Sequence, residues 1–263
     1  MSAPLYMETE GHGPELLLLH GWGLHGGVWD TLVPRLAPQL RVTRLDLPGH
    51  GRSRHVPMPP SLTELTLQTM AAVPPGAVVL GWSLGGLVAL EAALRMPQRL
   101  RGLMLVNTTP RFITAEDWAQ AMPPAQLQEF AAGLGQDYAG TLQRFLSLQV
   151  RGDETARASL RQLRGALFAH GEPEVASLAT GLGILRDSDL RTRLRDVSVS
   201  TQVLAGGYDR LTPAAASEYL AAHIPGARLE IFPKSAHAPF LSHPDAFVTA
   251  VCDFVAKLDK AAA

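Results

Sequence analysis

The sequence predicts an α/β fold, a mostly parallel sheet with helices packed on both faces, from two observations. Short apolar runs of buried-strand length recur along the chain, and helix-like segments lie between several of them. The runs are Leu16–Leu19, Val42–Leu45, Ala77–Leu80, Leu103–Val106, Gln202–Ala205 and Arg228–Phe232, each bounded by Gly, Pro or Asp. Leu84 to Met96, rich in Ala and Leu, ends against Pro97 and reads as a helix. So does Pro213 to His223, for which Thr212–Pro213 supplies a cap and first-turn signal. The alternation fails once. From about Arg111 to Arg193 no strand-like run occurs, and Pro123–Pro124, Gly152 and Gly171 break the segment into successive helices. The expected organisation is a core of residues 1–110 and 194–263 interrupted by a helical cap at 111–193, with the sheet resuming near Val199.

Composition narrows the function. With 263 residues, 46% of them apolar, the chain can bury a full core. Lys plus Arg number 23 against 24 acids, so no basic field exists to hold phosphate backbones, and a nucleic-acid partner is not expected. A lone cysteine, Cys252, can form no internal disulfide and fits a reducing compartment. The first nineteen residues carry no Lys or Arg, so the basic region of a secretory signal is missing and a cytoplasmic protein is expected. The aliphatic stretch Leu16–Leu19 is far short of the roughly 20 residues that span a bilayer, and a monomer without a membrane segment is expected.

Gly81-Trp82-Ser83-Leu84-Gly85 is the most informative motif, because it follows an apolar strand and precedes a helix. In that context Gly-x-Ser-x-Gly forms a sharp strand-to-helix turn that exposes the serine oxygen at the carboxyl end of the strand. The plainer alternative is a glycine turn whose serine caps the next helix. A serine hydroxyl is protonated at neutral pH and needs a base held by a third group. His237 follows the strand Arg228–Phe232 near the C-terminus, where the last member of such a triad falls; His243 is the competitor, although its His-Pro pair looks like a helix start. Asp209 follows the strand at 202–205 and lies between Ser83 and His237. Asp187, Asp189 and Asp196 sit in or just after the helical segment, where a cap or a solvated charge is the ordinary role. The other place for an acid, after Leu103–Val106, holds Asn107. An oxyanion would be met by the N–H of Leu84 and by one from His20-Gly21-Trp22-Gly23, with Trp22 the candidate. Trp22 and Trp82 would also bring apolar surface to the mouth of the site, unless either indole serves the core.

Together with Asp46-Leu-Pro-Gly-His-Gly-Arg-Ser53, these segments resemble the α/β-hydrolase superfamily across nearly the whole chain. Within it the sequence is similar to the pimeloyl-acyl-carrier-protein methyl ester esterases of biotin synthesis. That similarity lies in His20-Gly-Trp-Gly-Leu24, Gly81-Trp-Ser-Leu-Gly-Gly-Leu-Val88, Arg144-Phe-Leu-Ser-Leu-Gln149, Glu154-Thr-Ala-Arg157 and Ala236-His-Ala-Pro-Phe240. The resemblance implies an α/β-hydrolase fold with an inserted helical cap and a serine carboxylesterase acting through Ser83, Asp209 and His237 without metal or organic cofactor. It implies a substrate held against Trp22, Ser83, Leu84, Phe145, Leu146, Ser147, Leu148, Gln149 and His237, and an acyl-carrier protein met by Arg144, Arg157 and Arg161. Where the family can have a further cap arginine this chain has Gly140, and nearby Arg164 could replace it. Independently, residues 155–169 place Ala156, Leu160, Leu163 and Leu167 on one stripe with Arg157, Arg161 and Arg164 beside it, either a solvated face or a dock for an acidic partner. A general short-chain carboxylesterase, a carbon–carbon bond hydrolase and a non-catalytic binding protein of the same fold are the rival readings.

Overall fold

In the computed structural model, which describes residues 4–262, seven strands form one sheet: β1 (Met7–Glu10), β2 (Glu15–Leu19), β3 (Arg41–Leu45), β4 (Ala77–Trp82), β5 (Leu100–Val106), β6 (Thr201–Gly206) and β7 (Arg228–Phe232). Their spatial order is β1-β3-β2-β4-β5-β6-β7, every pair parallel except β1 with β3. The helices are α1 (Val33–Leu36), α2 (Leu62–Ala71), α3 (Leu84–Arg95), α4 (Pro124–Leu134), α5 (Tyr138–Gln149), α6 (Ala156–Leu167), α7 (Val175–Asp187), α8 (Ala214–His223), α9 (Pro239–Ser242) and α10 (Pro244–Ala262). All six expected strands are present, within three residues of their expected starts. No helix among the described residues is long and apolar enough to cross a membrane.

The central strands are apolar along their whole length because helices cover both of their faces. Every residue of β4 is buried, as are Leu16 to Leu19 of β2, and each Val or Leu side chain among them taken from water stabilises the fold by about 1.5–3 kcal/mol. Helix α3 packs on β4 and β5 with α2 behind it, α8 covers β6 and β7, and α1 and α10 pack together. At Gly102 of β5 a Cβ would stand 2.6 Å from Leu258, so α10 can lie this close only over a glycine.

Strand β1 was not expected, since Met-Glu-Thr-Glu contains no apolar run. It forms by pairing with β3, and the Arg44 guanidinium, flanked by Glu8 and Glu10, neutralises the charges that β1 brings to the sheet. The expected cap on α8 also differs. The helix starts after Pro213 without a side-chain cap, and Thr212 turns its hydroxyl toward Asp209 instead.

Helices α4 to α7 lie between β5 and β6, separated at Gly135–Asp137, around Gly152 and around Gly171, and they cross the carboxyl ends of the strands through contacts with Trp22 and the His237 loop. The ends of the expected core, residues 1–3 and 263, fall outside the described residues.

Leu80, fully buried in β4, tests the weight of this core. Leu80→Ala is expected to lower the unfolding free energy by about 2–5 kcal/mol in a urea titration.

Candidate active site

Ser83 is the residue between β4 and α3, and its backbone adopts φ 55° and ψ −118°. A side chain in this region costs on the order of 1–3 kcal/mol and persists only where its surroundings enforce it. Here they do. A Cβ on Gly81 would stand 2.2 Å from the Gly85 carbonyl oxygen, and one on Gly85 would stand 2.5 Å from that of Leu19, so the turn closes only with glycine on both sides of the serine. The Ser83 N–H donates to Val106 O at 3.0 Å and its carbonyl accepts from Thr108 Oγ1 at 2.8 Å. Its hydroxyl makes no cap bond to α3, which removes the plainer reading of the motif.

Asp209 and His237, 28 residues apart, meet at the same edge of the sheet: Nδ1 of His237 donates to Asp209 Oδ2 at 2.7 Å, with both side chains fully buried. Burial alone would raise the Asp209 carboxyl, but the facing His237, the Thr212 hydroxyl and the Leu211 N–H outweigh it and hold the group below its ordinary range. Oδ1 accepts from Leu211 N at 2.8 Å and Thr212 N at 3.1 Å, and Oδ2 from Thr212 Oγ1 at 2.6 Å and from Asn107 Nδ2.

His237 is tied at three polar atoms. Besides Nδ1, its N–H donates to Gln149 O at 2.9 Å, and its carbonyl accepts from the Trp82 indole at 2.7 Å. Only Nε2, buried and without a hydrogen-bond partner, is left to face a reacting group. The preceding N–H, of Ala236, donates to Asp153 Oδ2 at 3.1 Å, so two bonds from the α5–α6 corner hold the histidine loop.

The loop after β2 is braced by two buried histidines. His20 donates from Nδ1 to Gly21 O at 2.8 Å and accepts Leu47 N–H at Nε2, at 2.9 Å. His50 donates from Nδ1 to Pro48 O at 2.9 Å and accepts Gly23 N–H at 3.2 Å. The tautomers follow from these partners, since a carbonyl can only accept and an N–H only donate. Burial lowers both imidazoles, reinforced at His20 by His50, which keeps the acceptor nitrogens free of protons. Between them, the Trp22 N–H has no acceptor among the described residues, and the Leu84 N–H, first in α3, has none within its helix.

Trp22 lies under the cap helices, its indole donating to Leu178 O at 2.9 Å and its ring meeting Phe145 edge-on at 4.9 Å. Phe145, Leu146 and Gln149 are buried, Leu148 is half-buried, and Ser147 turns its hydroxyl back to Gln143 O. Trp82 does not reach the site mouth. It is fully buried against Trp29 and Phe240, behind His237. His243 stands at the start of α10, with Nδ1 on Ser242 and Nε2 3.5 Å from Glu154. Asp187 and Asp189 pair with arginines on the surface, and Asp196 is exposed.

On the cap, Arg144, Arg157, Arg161 and Arg164 are exposed while Leu163 and Leu167 are buried. Arg144 donates to Thr141 Oγ1, and the other three make no ion pair among the described residues. Gly140 receives the carboxylate of Asp137, which caps α5 at 2.8 Å from the Gly140 N–H and would stand 2.0 Å from a Cβ there. Asn107, Asp153, His50 and Thr212 were missed as site residues: each acts on a partner whose position only the folded chain supplies, and only the strand-end location of Asn107 was a signal. No cluster of three or more His, Cys, Asp or Glu side chains converges on a metal position among the described residues.

A family model for the alpha/beta hydrolase family matches residues 16–250. The chain is 43% identical over 247 residues to the pimeloyl-[acyl-carrier protein] methyl ester esterase of Nitrosomonas europaea, covering 94% of this chain and 98% of the relative. It is 45% identical to the protein of the same name from Xanthomonas oryzae pv. oryzae, over 97% of this chain and 100% of the relative. The crystal structure of a hydrolase from Pseudomonas aeruginosa superposes with a TM-score of 0.79 at 32% identity, covering 95% of this chain and 94% of that one.

The histidine braces predict a pH dependence. Unfolded imidazoles take up protons near pH 6.5 while His20 and His50 resist them, so their stabilising contribution is complete above that pH and is lost as the pH falls below it. The thermal midpoint is expected to drop between pH 7 and pH 5, and His20→Gln to flatten that drop; an equal slope in the variant would reject the assignment.

Proposed function

Because the chain belongs to the alpha/beta hydrolase family, we propose that it is a serine carboxylesterase of biotin synthesis, hydrolysing the methyl ester of pimeloyl-acyl-carrier protein to the free acid and methanol. One observation carries the mechanism: Asp209 holds His237 through Nδ1 and leaves Nε2 unpartnered, at the sheet edge where the strained turn presents Ser83. Nε2 takes the proton as Ser83 Oγ attacks the ester carbonyl. The oxygen that gains charge is met by the N–H groups of Trp22 and Leu84, which need not reorganise because the histidine-braced loop and the start of α3 already hold them. His237 then gives its proton to the departing methoxide, and methanol leaves. Water loses a proton to the same nitrogen, adds to the acyl-serine and releases the carboxylate, restoring the serine hydroxyl. Throughout, Asp209 stays ionised and fixes the imidazole tautomer.

The acyl chain is read as lying along Trp22, Phe145, Leu146 and Leu148, with Ser147 and Gln149 on the same helix. The acidic carrier protein is read as docking on Arg144, Arg157 and Arg161, with Arg164 continuing the row one turn on. The exposed guanidinium groups of Arg157, Arg161 and Arg164, without acidic partners among the described residues, favour such association and make it sensitive to salt, while Arg144 lies 3.7 Å from Asp137.

Ser83→Ala is expected to lower methanol release by at least about 10⁴-fold while the far-UV spectrum stays unchanged. Retained turnover would reject the nucleophile. Joint charge reversal, Arg157→Glu with Arg161→Glu, is expected to reduce kcat/KM for the carrier-bound ester about 10- to 100-fold and that for a small methyl ester less than about twofold. Equal losses on both substrates would remove the docking role.

A further inference from the structure

Asn107 directly follows β5, at the position where a triad acid could also stand, and it carries an amide there instead of a carboxylate. Its backbone lies in the left-handed region at φ 40°, which asparagine tolerates better than most residues. The side chain is fully buried and reaches three parts of the fold. Nδ2 donates to Asp209 Oδ2 and, at 3.1 Å, to the Ala236 carbonyl, while Oδ1 accepts the Gly206 N–H at 2.9 Å. These partners fix the orientation of the amide, because a carboxylate and a carbonyl cannot donate and an N–H cannot accept. Asp209 Oδ2 is the same oxygen that accepts the hydrogen bond from His237 Nδ1, and Ala236 directly precedes His237.

We infer that Asn107 is a positioning residue for the triad: one amide sets the rotation of the Asp209 carboxylate and the path of the histidine loop together. The inference rests on Ser83, His237 and Asp209 being the catalytic groups. Without the amide, Thr212 and Leu211 still hold the carboxylate, but its link to the histidine loop is reduced to the imidazole itself and the Tyr208 N–H to Ser235 O backbone bond at 2.8 Å. The oxygen facing the imidazole also loses a donor, so its charge is less shared and it holds a proton on His237 more tightly. Other charged groups at this corner are Asp153, reaching Ala236 from the α5–α6 turn, the exposed Lys234–Glu154 pair, and Arg151 and Arg210, which line the open cleft beside Asp209. Variants at position 107 leave all of them in place.

Asn107→Gly keeps the backbone conformation and removes the three bonds; Asn107→Asp keeps the shape and sets a second buried carboxyl against Asp209, where the two must share a proton that can stand in for the amide donor. On a small methyl ester, Asn107→Gly is expected to lower kcat about 10- to 100-fold with KM little changed, the loss of one hydrogen bond to a charged group. The acidic limb of its kcat/KM profile is expected to move up, and that of Asn107→Asp to move less, since the shared proton restores a donor to Asp209 Oδ2. A lower unfolding temperature with a wild-type pH profile in both variants would overturn the inference, leaving Asn107 a purely structural residue. Ser83→Ala in the same assay separates the two levels. If it retains turnover, the triad and this inference fall together; if it is inactive while both Asn107 variants keep the wild-type profile, the inference alone falls.

Discussion

Asp209 is a carboxylate taken fully out of water, and the site is built around the need to compensate it. A buried charge without partners costs several kcal/mol, so the chain must deliver donors from every side. They come from the start of α8 through Leu211 and Thr212, from the end of β5 through Asn107, and from the loop after β7 through His237. One carboxylate therefore locks three segments of the chain, those around Asn107, Asp209–Thr212 and His237. The histidine is part of the solution to that burial as well as a chemical group, so its ring geometry is fixed by the same forces that hold the fold.

Strain at Ser83 follows the same logic in reverse. The turn is unfavourable for a serine, and it is kept because Gly81 and Gly85 let β4 and α3 approach closely while Thr108 and Val106 hold the backbone polar groups. The neighbouring loop is fixed by neutral His20 and His50 accepting the N–H groups of Leu47 and Gly23, and the Trp22 N–H within it has no acceptor among the described residues. The strained serine, and the N–H groups without an acceptor among the described residues, persist because the surrounding core, apolar along whole strands, supplies the stabilisation they lack.

The helices between β5 and β6 do more than roof the site. Gln149 and Asp153 hold the backbone of the histidine loop, and Leu178 holds the Trp22 indole. At the α5–α6 corner these bonds tie the helices to the backbone on both sides of the His237 amide. The outer face of α6 is under no such constraint, and its arginines stand clear of the site.

Short-range pattern was enough for the strands of the central sheet, the glycine-flanked serine, the order Ser83, Asp209, His237, and the split of α6 into a buried leucine stripe and an exposed arginine row. Each of these is written in neighbouring residues, by period, by strand-end position or by the steric demand of a turn. Strand β1 was not legible because it has no apolar run and exists only as a partner of β3. Thr212 looked like a helix cap, and only the approach of Asp209 gives its hydroxyl a better acceptor. Trp82 looked equally fit for the site mouth and the core, until Trp29, Phe240 and the His237 carbonyl enclosed it. Asn107 and Asp153 act across 102 and 83 residues. Their partners are set by which strand ends lie side by side, and sequence periodicity carries no information about that adjacency. The sequence by itself determined the kinds of groups and the order in which the chain presents them; the tertiary structure decided which polar atoms are buried together, and a buried polar atom must take whichever partner the fold puts within reach.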